Sequence, residues 1–194
     1  MSLYVNALAG RLIQAGEGAE GKSWRFDVAR SLAPNAFAVG DGYVIVTDAL
    51  VAYAVNESQL AAVIAHEMGH VMAGHFCRQH RPPGDDFRIG SLVQHYEASA
   101  EEQADARAVV LLRRAGFDPT AMAALLHCLA SDDPAFAARL ESRAWRLGGA
   151  VTPSSGPHAY GDSPAFLKSR KAVIEDLRGV APDLAHRALG QTCR

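Results

Sequence analysis

Residues 59–75 read QLAAVIAHEMGHVMAGH, and the rest of the fold has to be built around this segment. It contains no proline and consists mostly of helix-forming residues, and Asn56, Glu57 and Ser58 before it are typical of a helix N-terminus. Its first turns are almost entirely apolar, so we expect a helix that is buried rather than amphipathic. Two histidines and a glutamate in a buried helix are costly unless a partner compensates them.

His66 and His70 are four residues apart, and on a helix this spacing places both imidazoles on the same face. They can therefore bind one metal ion, and Glu67 beside them is close enough to reach a water on that ion. The order His-Glu-x-x-His is the pattern of zinc-dependent peptidases. We therefore predict Zn²⁺ as the cofactor and Glu67 as the catalytic base.

A catalytic zinc site needs a third protein ligand, and an acidic cluster downstream supplies candidates. Glu101 and Asp105 are four apart at the start of another helical run, so they share a face. Glu101 could ligate the zinc, and Asp105 could accept the proton of a ligating histidine and fix its tautomer. Glu102 competes with Glu101, because the two lie about 100° apart around the helix and cannot point inward equally well.

His75 is not expected to be a ligand. The zinc framework with a third histidine ten residues after the first would need that histidine at Phe76, and a glycine at Ala73. His75 is one residue out of this register, so we predict a helix-end residue whose side chain points away from the ligand position.

Several segments together carry a family resemblance: YVNALAGRL at 4–12, NAFAV at 35–39, GYVIVTDAL at 42–50, the helix with its later histidine at 57–75, and AGFDP at 115–119. In these segments the chain resembles the M48 metallopeptidases, the family of the CAAX prenyl peptidase and the heat-shock membrane protease. It is most similar to the soluble, extracytoplasmic members. The likeness extends over roughly residues 4–130.

The resemblance implies roles for the residues already singled out. His66, His70 and Glu101 match the zinc ligands of the family. Glu67 matches its general base, and Asp105 matches the aspartate that follows the glutamate ligand.

The resemblance also implies a substrate site. The segment Asn35, Ala36, Phe37 and Ala38, continuing to Val39, matches the strand that lines the cleft in the family and pairs with extended substrate. Such pairing uses the main chain, so we expect broad side-chain selectivity.

The chain departs from the family pattern in two places. Glu97 and Ala98 stand where members usually carry Ser-Arg before the ligand glutamate. Members also carry a His-Pro whose histidine helps to stabilise the transition state, and His158 is the candidate for that role. Ser163-Pro164 is the alternative match, in which case the histidine is absent, and Tyr160 is a possible substitute donor.

Composition limits the classes of protein that remain. The chain has 194 residues, of which 49% are hydrophobic, so it can bury one core, and we predict a single domain over 1–194. The net charge of −2 argues against nucleic acid as a partner. No apolar stretch is long enough to span a membrane, and an extracytoplasmic location is favoured if the N-terminus is trimmed, a cytoplasmic one otherwise.

The three cysteines Cys77, Cys128 and Cys193 have no metal-binding spacing. One pair could be bridged in an oxidising compartment, but free buried thiols are the simpler prediction.

The predicted architecture is α+β: a mainly helical, zincin-like (gluzincin) metalloprotease domain with a small edge sheet. Helices are predicted at 3–15, 48–55, 59–75, 91–115, 165–178 and 182–189 and after Asp118-Pro119 and Asp133-Pro134, strands at 24–28, 35–39 and 43–46, and loops at 16–21, 78–90 and 148–161.

These features predict a zinc endopeptidase that acts on extended or misfolded protein substrates. The alternatives are a zinc-binding, chaperone-like module with little proteolysis, and a structural zinc site closed by a fourth ligand such as His75 or His158. The oligomeric state does not follow from the sequence.

Overall fold

The computed structural model describes residues 1–16, 19, 21–75, 97–132, 137–150 and 160–190. Within these residues the chain forms eight helices and one three-stranded sheet. The strands are β1 (Arg25–Ala29), β2 (Ala36–Gly40) and β3 (Tyr43–Thr47). The helices are α1 (Ser2–Ala15), α2 (Asp48–Tyr53), α3 (Glu57–Met72), α4 (Ala98–Ala115), α5 (Ala121–Asp132), α6 (Ala137–Ala150), α7 (Pro164–Val180) and α8 (Pro182–Gly190). The expected mainly helical α+β fold with a small sheet is confirmed.

The sheet has the strand order β1-β3-β2, so β2 lies at an edge. β1 runs parallel to β3, and β2 runs antiparallel to it. The tight connection between β2 and β3 carries positive φ values at Gly40, Asp41 and Gly42, a conformation that the Asp-Gly pair tolerates well. A Cβ atom at Gly42 would lie 2.9 Å from the backbone oxygen of Ser23, so this turn packs closely on the backbone just before β1.

Helix α3 lies at the centre of the domain. The side chain of Asn56 caps its first turn by accepting a hydrogen bond from the backbone N–H of Gln59. Leu60, Ile64 and Met68 on this helix are fully buried, as the apolar pattern predicts. Because packing surrounds the helix, the polar side chains of His66, Glu67 and His70 are largely buried.

Helices α3 and α4 approach each other closely at Gly69. A Cβ atom at this position would lie 2.8 Å from the backbone oxygen of Ala104, which is closer than packed atoms can stand. Ala104 lies between Glu101 and Asp105 in α4, so the missing side chain at Gly69 lets the acidic face of α4 reach the histidines of α3.

Several boundaries differ from the sequence prediction: α2 ends at Tyr53 rather than at residue 55, and α3 ends at Met72 rather than at His75. Residues 148–150 were expected in a loop, yet α6 continues to Ala150. Leu147 is buried at the last turns of α6, and its packing outweighs the low helix propensity of Gly148 and Gly149. The predicted loops at 78–90 and 151–159 and the predicted helix start at 133–134 lie outside the described residues.

Cys128 in α5 forms a disulfide bond, so the expectation of free thiols is wrong for this cysteine. It is buried beside Tyr53 and Leu125. Among the helices that the structure describes, none combines the length and the apolar character needed to cross a bilayer.

Candidate metal centre

The two histidines of α3 converge at one point. His66 and His70 are both buried, and their Nε2 atoms lie 3.0 Å apart. The rings are nearly perpendicular, with centroids 4.6 Å apart. One helical turn therefore directs two imidazole nitrogens at a common position, as the spacing predicts.

Helix α4 brings a carboxylate to the same position. Glu101 Oε2 lies 3.5 Å from His66 Nε2, and Glu101 Oε1 lies 3.9 Å from His70 Nε2. The three groups offer ligand atoms that all lie within 4.8 Å of one another. The competing residue, Glu102, is exposed and forms an ion pair with Arg146, so it is Glu101 that faces the histidines.

The chemistry of this cluster suits a divalent cation. Two imidazole nitrogens and one carboxylate oxygen form a set that zinc binds with its fourth position open. Burial, assisted by the charge of His66, lowers the pKa of His70 to about 3, so this imidazole is neutral and able to ligate. Burial also lowers the pKa of His66, but Asp105 and Glu101 outweigh it and raise that pKa to about 9.

Each histidine has a partner behind its ring. His66 Nδ1 lies 2.9 Å from Asp105 Oδ1, although the approach is oblique for a hydrogen bond. His70 Nδ1 lies 2.9 Å from His75 Nδ1, and His75 Nε2 lies 3.4 Å from Gln103 Oε1. A histidine that ligates through Nε2 carries its proton on Nδ1, and these contacts are placed to receive that proton.

The position of His75 adds a contact that the sequence analysis did not predict. It follows α3 and is not in the ligand cluster, and its buried side chain contacts His70 at Nδ1, the ring nitrogen opposite the cluster. The chain turns at Gly74, whose φ is 67°, and this turn returns His75 to the back of His70. Register along a helix could not reveal this contact, because the helix has ended before His75.

Arg143 in α6 is a site residue that the sequence analysis missed. It is buried and contacts both acidic side chains of α4, Glu101 and Asp105. A signal was present: position 143 lies on the same helical face as Leu140 and Leu147, where an arginine stands out among apolar residues.

Glu67 faces the edge strand. Its Oε2 accepts a hydrogen bond from the backbone N–H of Ala38, at 3.0 Å. Burial raises the pKa of Glu67 to about 7, while His66 and the Ala38 N–H act in the opposite direction. This is the range in which a carboxylate exchanges protons efficiently near neutral pH.

The predicted substrate segment is only partly available for pairing. Asn35 donates from its backbone N–H to Thr47 Oγ1 and accepts at its backbone oxygen from the Thr47 N–H. Because Asn35 bonds to Thr47 at the end of β3, alternation turns the backbone groups of Ala36 and Ala38 toward the open edge, where the Ala38 N–H is already bonded to Glu67. Of the four predicted residues, only these two present main-chain groups at that edge.

Of the two residues predicted as transition-state donors, the structure describes only Tyr160. His158 lies outside the described residues. Tyr160 lines a cavity of about 300 Å³ with Glu57 and Ser58 at the first turn of α3. Eight residues of helix separate Ser58 from His66, a distance of about 12 Å. Tyr160 is thus not part of the metal cluster.

Comparison with known proteins identifies similar sequences. The sequence model of peptidase family M48 matches residues 2–81. The chain is 30% identical over 159 residues to the beta-barrel assembly-enhancing protease of Escherichia coli K12, covering 66% of this chain and 32% of that protein. It is 30% identical over 160 residues to the protein of the same name from Yersinia pestis, covering 67% and 33%. It is 38% identical over 74 residues to the mitochondrial metalloendopeptidase OMA1 of Schizosaccharomyces pombe, covering 38% and 22%.

The mainly helical fold and the buried cluster of two histidines and a glutamate are those of the HExxH class of metallopeptidase domains. The matches narrow this class further: the chain belongs to peptidase family M48. It spans about a third of the length of the beta-barrel assembly-enhancing proteases that it matches.

Proposed function

We propose that this chain is a zinc-dependent endopeptidase that hydrolyses extended or misfolded protein substrates. The observation that carries the proposal is the convergence of His66 Nε2, His70 Nε2 and a Glu101 carboxylate oxygen within 4.8 Å, in a buried site beside Glu67. These three residues would hold the ion. When bound, zinc supplies Lewis-acid activation of a water molecule and of the scissile carbonyl.

Glu67 is the proposed general base. The Ala38 N–H holds Oε2, which leaves Oε1 to accept a proton from the attacking water. The same carboxyl group then delivers that proton to the departing amine. The raised pKa of Glu67, about 7, supports both halves of this transfer.

The edge strand β2 is the proposed substrate platform. Glu67 already takes the Ala38 N–H, so an extended peptide would pair with the outward groups of Ala36 and with the Ala38 carbonyl, and it would lie beside that carboxylate. Backbone pairing selects for unfolded chain rather than for a particular side chain. This supports misfolded protein as the substrate class, and the disulfide at Cys128 supports an oxidising compartment.

Casein cleavage by the purified protein tests this function. We expect cleavage in the presence of Zn²⁺, complete loss after dialysis against a chelator, and recovery when Zn²⁺ is returned. Apo protein that cleaves casein as fast as zinc-loaded protein would contradict the proposal. Zinc-loaded protein that binds unfolded casein without cleaving it would favour the chaperone-like alternative.

A further inference from the structure

Arg143 forms three ion-pairing contacts in the interior, all with the acidic face of α4. Its Nη2 donates to Asp105 Oδ1 at 2.7 Å and its Nε donates to Asp105 Oδ2 at 2.9 Å, while its Nη1 forms an ion pair with Glu101 Oε2 at 2.7 Å. The guanidinium is thus bidentate to one carboxylate and reaches the second with its remaining arm. No other lysine or arginine in the described parts of the chain pairs with either carboxylate.

Packing alone is a weak reason for this arginine. A buried ion pair seldom adds net stability, because removing the charges from water costs about as much as their attraction returns. The neighbouring pair Arg146–Glu102 joins the same two helices, α6 and α4, at the surface, where both side chains are exposed. An exposed ion pair therefore already connects the two helices, and the buried contacts of Arg143 are better explained by a role in the site.

The contacts bear on two of the three candidate ligands. Nη1 occupies Glu101 Oε2, which restrains the carboxylate and leaves Oε1 facing His70 Nε2 at 3.9 Å. Asp105 Oδ1, which contacts Nη2 of Arg143, is also the atom 2.9 Å from His66 Nδ1. One guanidinium therefore fixes Glu101 directly and His66 through Asp105. It also offsets the repulsion between two carboxylates on one helical face.

We propose that Arg143 is a positioning residue that holds Glu101 and, through Asp105, His66 in the orientation that binds the metal. This inference rests on the proposed zinc site. The ion pairs and hydrogen bonds of Arg143 are with Glu101 and Asp105, so it acts on the ligands by holding their side chains in place. Its positive charge opposes the ion, and the orientation that it imposes outweighs that repulsion.

The test is the Zn²⁺ affinity of the apo protein, measured by competition with a chromophoric chelator. We expect Arg143→Gln to raise the zinc dissociation constant by about 10- to 100-fold, as loss of a partner behind a ligand typically does. Arg143→Lys keeps the charge but cannot span both carboxylates, so we expect a smaller loss. Arg146→Gln, which breaks the exposed pair on the same helix, is the matched control and should leave the affinity unchanged.

The outcomes separate the two proposals. Wild-type protein that binds no zinc would overturn the proposed function itself. Wild-type binding with unchanged or tighter affinity in Arg143→Gln would overturn only the role of Arg143. A merely structural arginine would lower the melting temperature of the apo protein and leave the affinity unchanged, which would also reject the inference. Circular dichroism checks folding, and Arg143→Lys decides the question if the glutamine variant does not fold.

Discussion

At the scale of single residues, the candidate site depends on how each polar group is desolvated and paired. Glu67 is held by one N–H of the edge strand. His70 contacts His75 through its Nδ1 atom, and His66 contacts Asp105 through its Nδ1 atom. Without such a partner, the side chain of a buried histidine or carboxylate could rotate. A small rotation would move its ligand atom away from the metal position.

Glu67→Gln separates proton transfer from metal binding. The glutamine side chain has the same shape, and its amide oxygen can still accept the Ala38 N–H, but it cannot act as a base. We expect casein cleavage to fall by about 10²- to 10⁴-fold while zinc stoichiometry stays at the wild-type value. Protease assays and metal analysis on the same samples measure both quantities.

Glu102→Gln is the matched control, because it removes the exposed glutamate that pairs with Arg146 and should leave cleavage unchanged. Full activity in Glu67→Gln would remove this residue from the mechanism.

At the scale of elements, the distance between α3 and α4 is set by a glycine. Gly69 faces the backbone of Ala104, and the histidines and acids flank this contact on either side. The crossing of the two helices is therefore both a packing feature and the frame of the site. Any side chain added at the crossing has to separate the helices.

We expect Gly69→Ala to destabilise the protein by about 1–3 kcal/mol, because its Cβ would overlap the Ala104 oxygen. The same separation moves Glu101 away from His70, so zinc affinity should fall as well. Chemical denaturation and chelator competition give the two values.

Gly10→Ala in α1 is the control, since nothing lies within 4 Å of a Cβ there. It should stabilise the protein by about 0.5–1 kcal/mol through helix propensity. If Gly69→Ala is as stable as Gly10→Ala, the contact between α3 and α4 can accommodate a Cβ atom and the prediction is wrong.

At the scale of the whole molecule, Glu57 connects α3 with α1 and α7. It lies at the N-terminal end of α3, away from the metal cluster. Its Oε1 accepts hydrogen bonds from Tyr4 in α1, at 2.9 Å, and from Ser163 at the N-terminus of α7, at 2.6 Å. Its backbone N–H donates to Asp162 Oδ1 at 2.7 Å. Burial, and then the charge of Glu57, raises the pKa of Tyr4, so the phenol stays protonated and remains a donor.

Tyr4→Phe should lower the free energy of unfolding by about 1.5–3 kcal/mol, the typical value of a hydrogen bond to a charged group. Thermal or denaturant unfolding measures it. Tyr43→Phe is the control, because that hydroxyl donates to the exposed Asp27 and its loss should cost less than about 0.5 kcal/mol. Equal losses in the two variants would argue against Glu57 as the point that joins the helices.

The sequence by itself determined the elements and the outline of the site. Helical periodicity places His66 with His70, and Glu101 with Asp105, on shared faces, and this follows from local geometry whatever the rest of the chain does. The cap at Asn56 and the apolar run after it likewise predicted a buried α3.

Only the tertiary structure decided which groups meet between elements. It selected Glu101 over Glu102, brought Arg143 from α6 onto both acids, returned His75 to the back of His70, and bonded the Ala38 amide to Glu67. These residues lie in different elements, so the periodicity of a single helix or strand cannot predict that they meet. They depend on how closely helices can approach and where a buried charge finds its partner, and both are properties of the packed interior.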